Sequence, residues 1–170
     1  MLYIFGGLPG TGKSTLSAAL ARELRATYLR VDVVEQAMRD VGMRIDGPEG
    51  YIVCHAIASQ NLRLGLDVIA DTVNPIQITR QAWRKVAESL KTPYLEIEVV
   101  CSDESEHKHR VETRIADIPG FVQPTWEQVR YRQYDVWDRD HIVIDTANQT
   151  VTESMMALCK RLDRERKKFG

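Results

Sequence analysis

A chain of 170 residues has the length of one domain, and its 44% apolar and 28% charged residues are ordinary for a globular protein. The net charge of −1 argues against general attraction to nucleic acid or to an anionic membrane. Three widely separated cysteines, outside any Cys-x-x-Cys spacing, argue against a disulfide framework and a zinc site. The first apolar run breaks at Gly6, so it is too short for a signal peptide or a membrane span. We expect one domain over residues 1–170, located in the cytoplasm and away from membranes.

The first 24 residues contain the strongest motif of the chain. A short apolar strand over residues 2–5 precedes a loop that matches Gly-x-x-x-x-Gly-Lys-[Ser/Thr], and an amphipathic helix follows. Such a loop turns backbone N–H groups toward phosphate oxygens, and the helix adds the positive end of its dipole. Lys13 would reach the β- and γ-phosphates, and the Ser14 hydroxyl would serve Mg²⁺. We predict nucleotide binding by Gly7, Leu8, Pro9, Gly10, Thr11, Gly12, Lys13, Ser14 and Thr15.

Predicted strands and helices alternate along the rest of the chain. In chain order they are strand 27–31, helix 33–41, loop 44–50, helix 51–66, strand 68–71, helix 74–90, strand 94–101, helix 103–117, helix 126–137, strand 142–145 and helix 151–162. Asn74 and Pro75 are expected to cap and begin their helix. The alternation predicts a parallel sheet of about five strands with helices on both faces. Together with the phosphate-binding loop, it indicates an α/β, three-layer P-loop NTPase fold with a short helical lid.

Two acids stand at the ends of predicted strands, where ligands bind in sheets of this kind. Asp71 follows the apolar residues 68–70, so it is a candidate to hold the water shell of Mg²⁺ together with Ser14. Asp32 is a candidate to accept the proton of an acceptor hydroxyl. Either acid has an alternative structural role at a strand end or helix N-terminus.

A charged helix over residues 103–117 is the predicted lid, within a lid segment of about 102–120. His107, Arg110 and Arg114 follow one another at i, i+3 and i+7, so they form one stripe. Phosphoryl transfer needs positive charge where the migrating group passes, and planar guanidinium groups suit phosphate oxygens. We predict that Arg110 and Arg114 meet that need, although exposed arginines on a charged helix are common.

Three weaker signals are set aside. The Asp-x-x-Gly sequence at Asp117 mimics a GTPase switch, but it follows a charged helix and no Asn-Lys-x-Asp base-reading motif exists. The aromatic residues between Trp126 and Trp137 favour helix packing over a ligand platform. His55 and His141 lack partners at metal-ligand spacing, so we assign them no role.

With these residues in hand, the chain resembles small P-loop kinases. The family groups AAA-type ATP-binding domains with chloramphenicol phosphotransferase-like, adenylylsulfate kinase-like and polynucleotide 5′-kinase-like enzymes. The resemblance rests on the glycine-rich loop, Asp32, residues 71–75 with Arg80 downstream, the two lid arginines and residues 143–146. One departure is notable: polynucleotide-kinase-like members have an arginine three residues after the acid, where this chain has Glu35, and Arg39 lies a turn further on. The nucleic-acid-kinase assignment is weakened accordingly.

The resemblance implies particular roles for the matching residues. Asp32 would act as the base, Lys13 and the lid arginines would neutralise charge, and Asp71 with Asn74 would place the acceptor or the metal. Arg80 would belong to the acceptor site, and Asn148, in the loop after Thr146, would lie near the adenine.

The leading hypothesis is an ATP-dependent phosphotransferase that uses Mg²⁺ and a small-molecule hydroxyl acceptor. The acceptor would lie between Asp32, Asp71 and residues 47–63. Candidate specificity residues are Arg44, Gln60, Asn61 and Arg63. Two alternatives stay open: an ATP-binding regulatory module with slow hydrolysis, and a kinase that acts on a nucleic-acid end or another macromolecule.

Overall fold

A computed structural model describes residues 1–169. One parallel sheet forms its centre, with the strand order β2-β3-β1-β4-β5. The strands are β1 Leu2–Gly6, β2 Thr27–Arg30, β3 Val68–Asp71, β4 Tyr94–Val100 and β5 Ile142–Asp145. All five residues of the central strand β1 are buried, as a strand covered on both faces requires.

Helices cover both faces of this sheet. They are α1 Lys13–Leu24, α2 Val31–Asp40, α3 Glu49–Arg63, α4 Gln77–Ser89, α5 Glu104–Thr113, α6 Trp126–Arg130 and α7 Val151–Arg166. Alternate residues of β1 point to opposite faces: Tyr3 and Phe5 pack with Leu16 of α1 and Leu158 of α7, in a core that is separate from that of Leu2 and Ile4. The latter two pack among the buried residues of α3 and α4, which include Trp83. The predicted three-layer α/β fold with a five-stranded parallel sheet is confirmed.

The topology places a crevice at the carboxyl ends of the strands. From β1, the chain crosses to β2 beyond β3 on one side, and later to β4 and β5 on the other. At such a reversal of direction the loops leave room for a ligand. The glycine-rich loop that follows β1 lies at this point.

Several predicted helix boundaries differ from the structure, and three of these differences affect candidate or cavity-lining residues. Helix α4 begins at Gln77 with Ile76 as its N-cap, because Asn74 has a left-handed backbone, with φ 47°, and cannot lead directly into the helix. Helix α5 ends at Thr113, since Val111 is its last buried apolar residue, and Arg114 already has an extended backbone. The stripe through Arg114 is therefore not helical.

Helix α6 ends at Arg130, and residues 131–141 form a non-helical segment. Buried arginines of α4 draw this segment onto the sheet edge: Arg84 donates to both carboxylate oxygens of Asp138, at 2.9 and 2.6 Å. Such contacts compete successfully with continuation of the helix. No helix within residues 1–169 is long and apolar enough to cross a membrane.

Candidate active site

The loop between β1 and α1 forms a cradle for an anion. Gly10 and Gly12 both have φ 87°, in the left-handed region that favours glycine. A Cβ on Gly10 would come within 2.5 Å of the Val111 side chain, so only glycine lets α5 close over the loop. Helix α1 begins at Lys13 without a side-chain cap. Its first N–H groups are thus available to a phosphate.

Lys13 and Asp71 make a buried ion pair beneath this loop. The Lys13 Nζ lies 2.6 Å from Asp71 Oδ1, and the Tyr28 hydroxyl donates to Asp71 Oδ2 at 2.6 Å. Burial alone would raise the pKa of Asp71, but attraction to Lys13 and hydrogen bonds from Lys13, Tyr28 and Ser14 hold it below its usual value. Burial and the neighbouring Asp71 raise the pKa of Tyr28. Asp71 is therefore a carboxylate and Tyr28 a phenol at neutral pH.

Ser14 and Asp71 provide oxygen donors, the kind that Mg²⁺ prefers. Ser14 lines the cleft, and its hydrogen bond to Asp71 contributes to the low pKa of that acid. No cluster of three His, Cys, Asp or Glu residues suited to a metal exists within residues 1–169. The residues present fit a Mg²⁺ ion that takes its remaining ligands from phosphates and water.

Asp32 is the second residue of α2 and lines a cavity of about 730 Å³ together with the glycine-rich loop. Its side chain is half-buried, and it makes no hydrogen bond or ion pair with another residue in the range 1–169. Arg30, not Asp32, occupies the N-cap position of α2, and Asp32 is the acid of the first turn of this helix. An unpaired carboxylate thus faces the space next to the phosphate cradle.

Two predicted lid arginines line the same cavity but differ in their contacts. Arg110 donates to the hydroxyl and the carbonyl oxygen of Thr146, at 2.8 and 2.9 Å, and pairs with Glu106 at 2.5 Å. Arg114 has Nε and Nη2 buried without a hydrogen-bond partner in the described chain. Burial lowers the pKa of Arg114, partly offset by the nearby Asp32. Arg110 is held in place, whereas Arg114 has donors to offer a ligand.

A further ion pair joins the loop after α5 to the sheet. Arg30 ends β2 and donates to both carboxylate oxygens of Asp117, at 2.5 and 3.1 Å. Its Nε lies 3.8 Å from Asp71 Oδ2. Asp117, in the sequence that mimics a GTPase switch, therefore lines the cleft and binds an arginine.

Some predicted residues lie outside the cleft. Asn148 is exposed, although its backbone N–H donates to Glu106 at 2.7 Å, close to Arg110. Arg63 is exposed near the C-terminus of α3, and Asn61 beside it bonds Thr27 at the start of β2, so Arg63 lies at the opposite edge of the sheet.

Asn74 and Arg80 are fully buried and make structural contacts. Asn74 donates to the Phe5 carbonyl at 3.2 Å. Arg80 donates to the carbonyls of Asn74 and Asp135, at 2.9 and 2.7 Å, and its guanidinium lies 4.2 Å from the centre of the Trp137 ring. Here Arg80 joins residues 131–141 to the loop after β3.

Sequence reasoning missed several residues that line the cavity: Arg30, Glu35, Arg39, Tyr51 and Arg132. Glu35 had a usable signal, because it lies three residues after Asp32 and so shares its helix face. Arg132 had none, since its position depends on how the segment after α6 folds back.

Fold and site together define a P-loop kinase-like domain. The model of the AAA domain family matches residues 2–133, so the chain belongs to that family, as the sequence resemblance predicted. An adenylyl-sulfate kinase of a Synechococcus strain is 24% identical over 160 residues, which cover 88% of this chain and 86% of the relative.

Two solved structures share the fold. A candidate kinase from Chloroflexus aurantiacus has a TM-score of 0.74 and 23% identity, over 94% of this chain and 96% of the other. A gluconokinase from Sinorhizobium meliloti has a TM-score of 0.70 and 16% identity, over 98% of this chain and 94% of the other. At this identity the likeness establishes the architecture.

Proposed function

We propose that this protein transfers the γ-phosphoryl group of ATP to a hydroxyl of a small-molecule acceptor, with Mg²⁺ as cofactor. One observation carries the proposal: the unpaired carboxylate of Asp32 shares a cavity with a phosphate-binding loop. A protein that only bound a nucleotide would have no need for a second acid there. Relatives named for kinase activity on small molecules support the same class of reaction.

In the proposed step the acceptor hydroxyl gives its proton to Asp32 and its oxygen attacks the γ-phosphorus. The bond from that phosphorus to the bridging oxygen breaks, and ADP leaves with the bonding electrons. A positioned carboxylate base contributes roughly 10²- to 10⁴-fold to such a reaction. The proton and the phosphoryl group are thus both accounted for by groups in one cleft.

Side chains of this protein would supply the positive charge that stabilises the phosphoryl group during its transfer. Lys13 begins paired with Asp71, so binding of the triphosphate would exchange one anionic partner of the lysine for another. Arg114 would donate its unpartnered N–H groups to the transferred group, and Arg110, fixed by Thr146, would bind beside the nucleotide. Ser14, together with Asp71 through the water shell of the ion, would hold Mg²⁺, which would neutralise charge on the phosphates.

The test measures ADP release from ATP and Mg²⁺ against pools of candidate acceptors and an oligonucleotide with a free 5′ end. Asp32→Asn keeps size and polarity but removes the base, so it should bind ATP normally and lose acceptor-stimulated turnover. Asp40→Asn, on the same helix but outside the cavity, is the matched control and should behave as wild type. Transfer that survives in the Asp32 variant would remove the base from this proposal.

If ATP binds but no acceptor of any kind stimulates ADP release, the phosphotransferase proposal fails. Different conformations with ATP and ADP would then favour a regulatory module. Stimulation by the oligonucleotide alone, with a steep loss at higher salt, would favour a nucleic-acid kinase.

A further inference from the structure

The end of the cleft beyond Asp32 is built from α2 and the beginning of α3. Glu35 extends from the same face of α2 as Asp32, and its side chain is 18% exposed. A Cβ on Gly50 would lie 2.3 Å from the Glu35 Cγ, so glycine at this position of α3 makes room for the acid. Both Glu35 and Tyr51, the residue after Gly50, line the cavity.

The hydrogen-bonding groups at this end are only partly used. Glu35 Oε2 accepts from Arg39 Nη2 at 3.2 Å, while Oε1 accepts no hydrogen bond from another residue within 1–169. The Thr72 hydroxyl donates to the Tyr51 hydroxyl at 2.5 Å, which leaves the phenolic proton free to be donated elsewhere. Burial and the nearby Asp32 raise the pKa of Glu35, against the effect of Arg39. The acceptor end of the cavity therefore offers both a hydrogen-bond acceptor, Glu35 Oε1, and a donor, the Tyr51 hydroxyl.

The charges of the cleft limit what can bind in that space. Four of its cations have acidic partners: Lys13 with Asp71, Arg30 with Asp117, Arg39 with Glu35 and Arg110 with Glu106. Two other arginines that line the cleft, Arg114 and Arg132, have no acid within ion-pair distance in the described chain. The triphosphate would take these two, so the cation left at the acceptor end is Arg39, whose charge Glu35 already balances. An acidic acceptor would also meet the carboxylates of Asp32 and Glu35.

We propose that the acceptor carries several hydroxyl groups and no acidic group, and that Glu35 is the residue that selects it. One hydroxyl would face Asp32 and be phosphorylated, and a neighbouring hydroxyl would donate to Glu35 Oε1. Arg39 and Tyr51 would donate to further oxygens of the same molecule. Adenylyl sulfate, sugar acids and sugar phosphates are excluded as acceptors. This inference rests on the proposed phosphotransfer and specifies the acceptor class.

The experiment measures acceptor-stimulated ADP release with three pools. The first contains neutral sugars, cyclitols and amino sugars, the second contains sugar acids, sugar phosphates and adenylyl sulfate, and the third contains amines with a single hydroxyl. Stimulation by the first pool is the expected result, and glucose against gluconate is the direct comparison of a neutral and an acidic polyol. Stimulation confined to the second or the third pool overturns the acceptor class but leaves phosphotransfer standing. No stimulation by any pool overturns both.

Glu35→Gln keeps the shape of the side chain and removes its charge. With the active polyol it should raise the acceptor KM about tenfold, while kcat and the KM for ATP stay close to wild type, because the group binds the acceptor without taking part in proton transfer. Glu49→Gln, a neighbouring acid outside the cavity, is the control. Equal unfolding midpoints for wild type and both variants ensure that the comparison concerns binding. An unchanged acceptor KM in Glu35→Gln overturns the selecting role.

Discussion

The two ends of the cleft differ in how their charges are satisfied before any ligand binds. At the nucleotide end, Lys13, Asp71 and Tyr28 form a closed set of hydrogen bonds, and Arg110 is fixed by Thr146 and Glu106. At the acceptor end, Asp32 has no side-chain partner among residues 1–169, and Glu35 uses one oxygen. A site with satisfied partners is rigid, and a site with free groups is ready to recognise a ligand.

This contrast follows from where the residues come from. Apart from Arg110 of α5, the nucleotide end is made by a contiguous loop and by residues of adjacent strands, so the sheet itself sets the distances. The acceptor end is made by one face of α2 and the first turn of α3, whose relative position depends on side-chain packing. We therefore expect substitutions at the nucleotide end to change stability as well as binding, and those at the acceptor end to change binding alone.

The largest effect is expected for Lys13→Met. Loss of the lysine should weaken ATP binding roughly 10³-fold, about 4 kcal/mol, and leave Asp71 as a buried, unpaired charge. The double variant Lys13→Met with Asp71→Asn should recover most of the lost stability and none of the ATP affinity. Calorimetric titration and urea unfolding measure the two quantities. A double variant as unstable as Lys13→Met would show that the unpaired charge of Asp71 does not cause the loss of stability.

Arg114→Ala is expected to be the next largest change. The guanidinium has free donors between the two ends, so its removal should lower kcat roughly 10²-fold, about 2.7 kcal/mol, with little change in ATP affinity. Arg44→Ala removes an arginine that pairs with Asp46 outside the cavity and serves as the control. A lower affinity for ATP with unchanged kcat would assign Arg114 to nucleotide binding instead.

Acidification should destabilise the acceptor end of the cleft more than the nucleotide end, because of His55. This histidine of α3 packs against Trp83 and lies 6.2 Å from Tyr51 between ring centres, and burial lowers its pKa from 6.5 to about 4. A depressed folded-state pKa means that its contribution to stability is complete above pH 6.5 and is lost as the pH falls toward 4. After allowance for partial exposure, we expect a loss of about 1–2 kcal/mol in the free energy of unfolding.

Urea unfolding between these pH values measures that loss, and hydrogen exchange localises it. Amides of α3 should exchange faster on acidification, whereas those of α1 should not. His55→Phe should flatten the pH dependence, and His109→Gln, a change at an exposed histidine, should leave it intact. If the free energy of unfolding depends on pH equally in wild type and His55→Phe, His55 is not the titrating group.

The sequence contained most of the fold and named some of the residues that line the cleft. Alternating patterns predicted the sheet and the helices, and the motif at residues 7–14 placed the phosphate loop, because each is a local property of the chain. Arg80 was misleading: an arginine close after the strand-end loop suggests a ligand, but its partners are the carbonyls of Asn74, six residues earlier, and of Asp135, 55 residues later. Arg63 could have been placed better, since a helix that returns to a parallel strand ends at the amino edge of the sheet.

The smallest expected effect that tests the difference between the nucleotide end and the acceptor end concerns Arg132. It lines the cleft from the segment after α6, while Arg130, two residues earlier, pairs with Glu104 outside the cavity. Arg132→Ala should lower kcat/KM for ATP about tenfold, or about 1.4 kcal/mol, because one of the two unpaired cations available to the triphosphate is lost. Arg130→Ala breaks only an exposed ion pair, so it should stay within about twofold of wild type. Should Arg132→Ala instead raise the KM of the acceptor alone, Arg132 would be a cation of the acceptor end, and the exclusion of acidic acceptors would no longer hold.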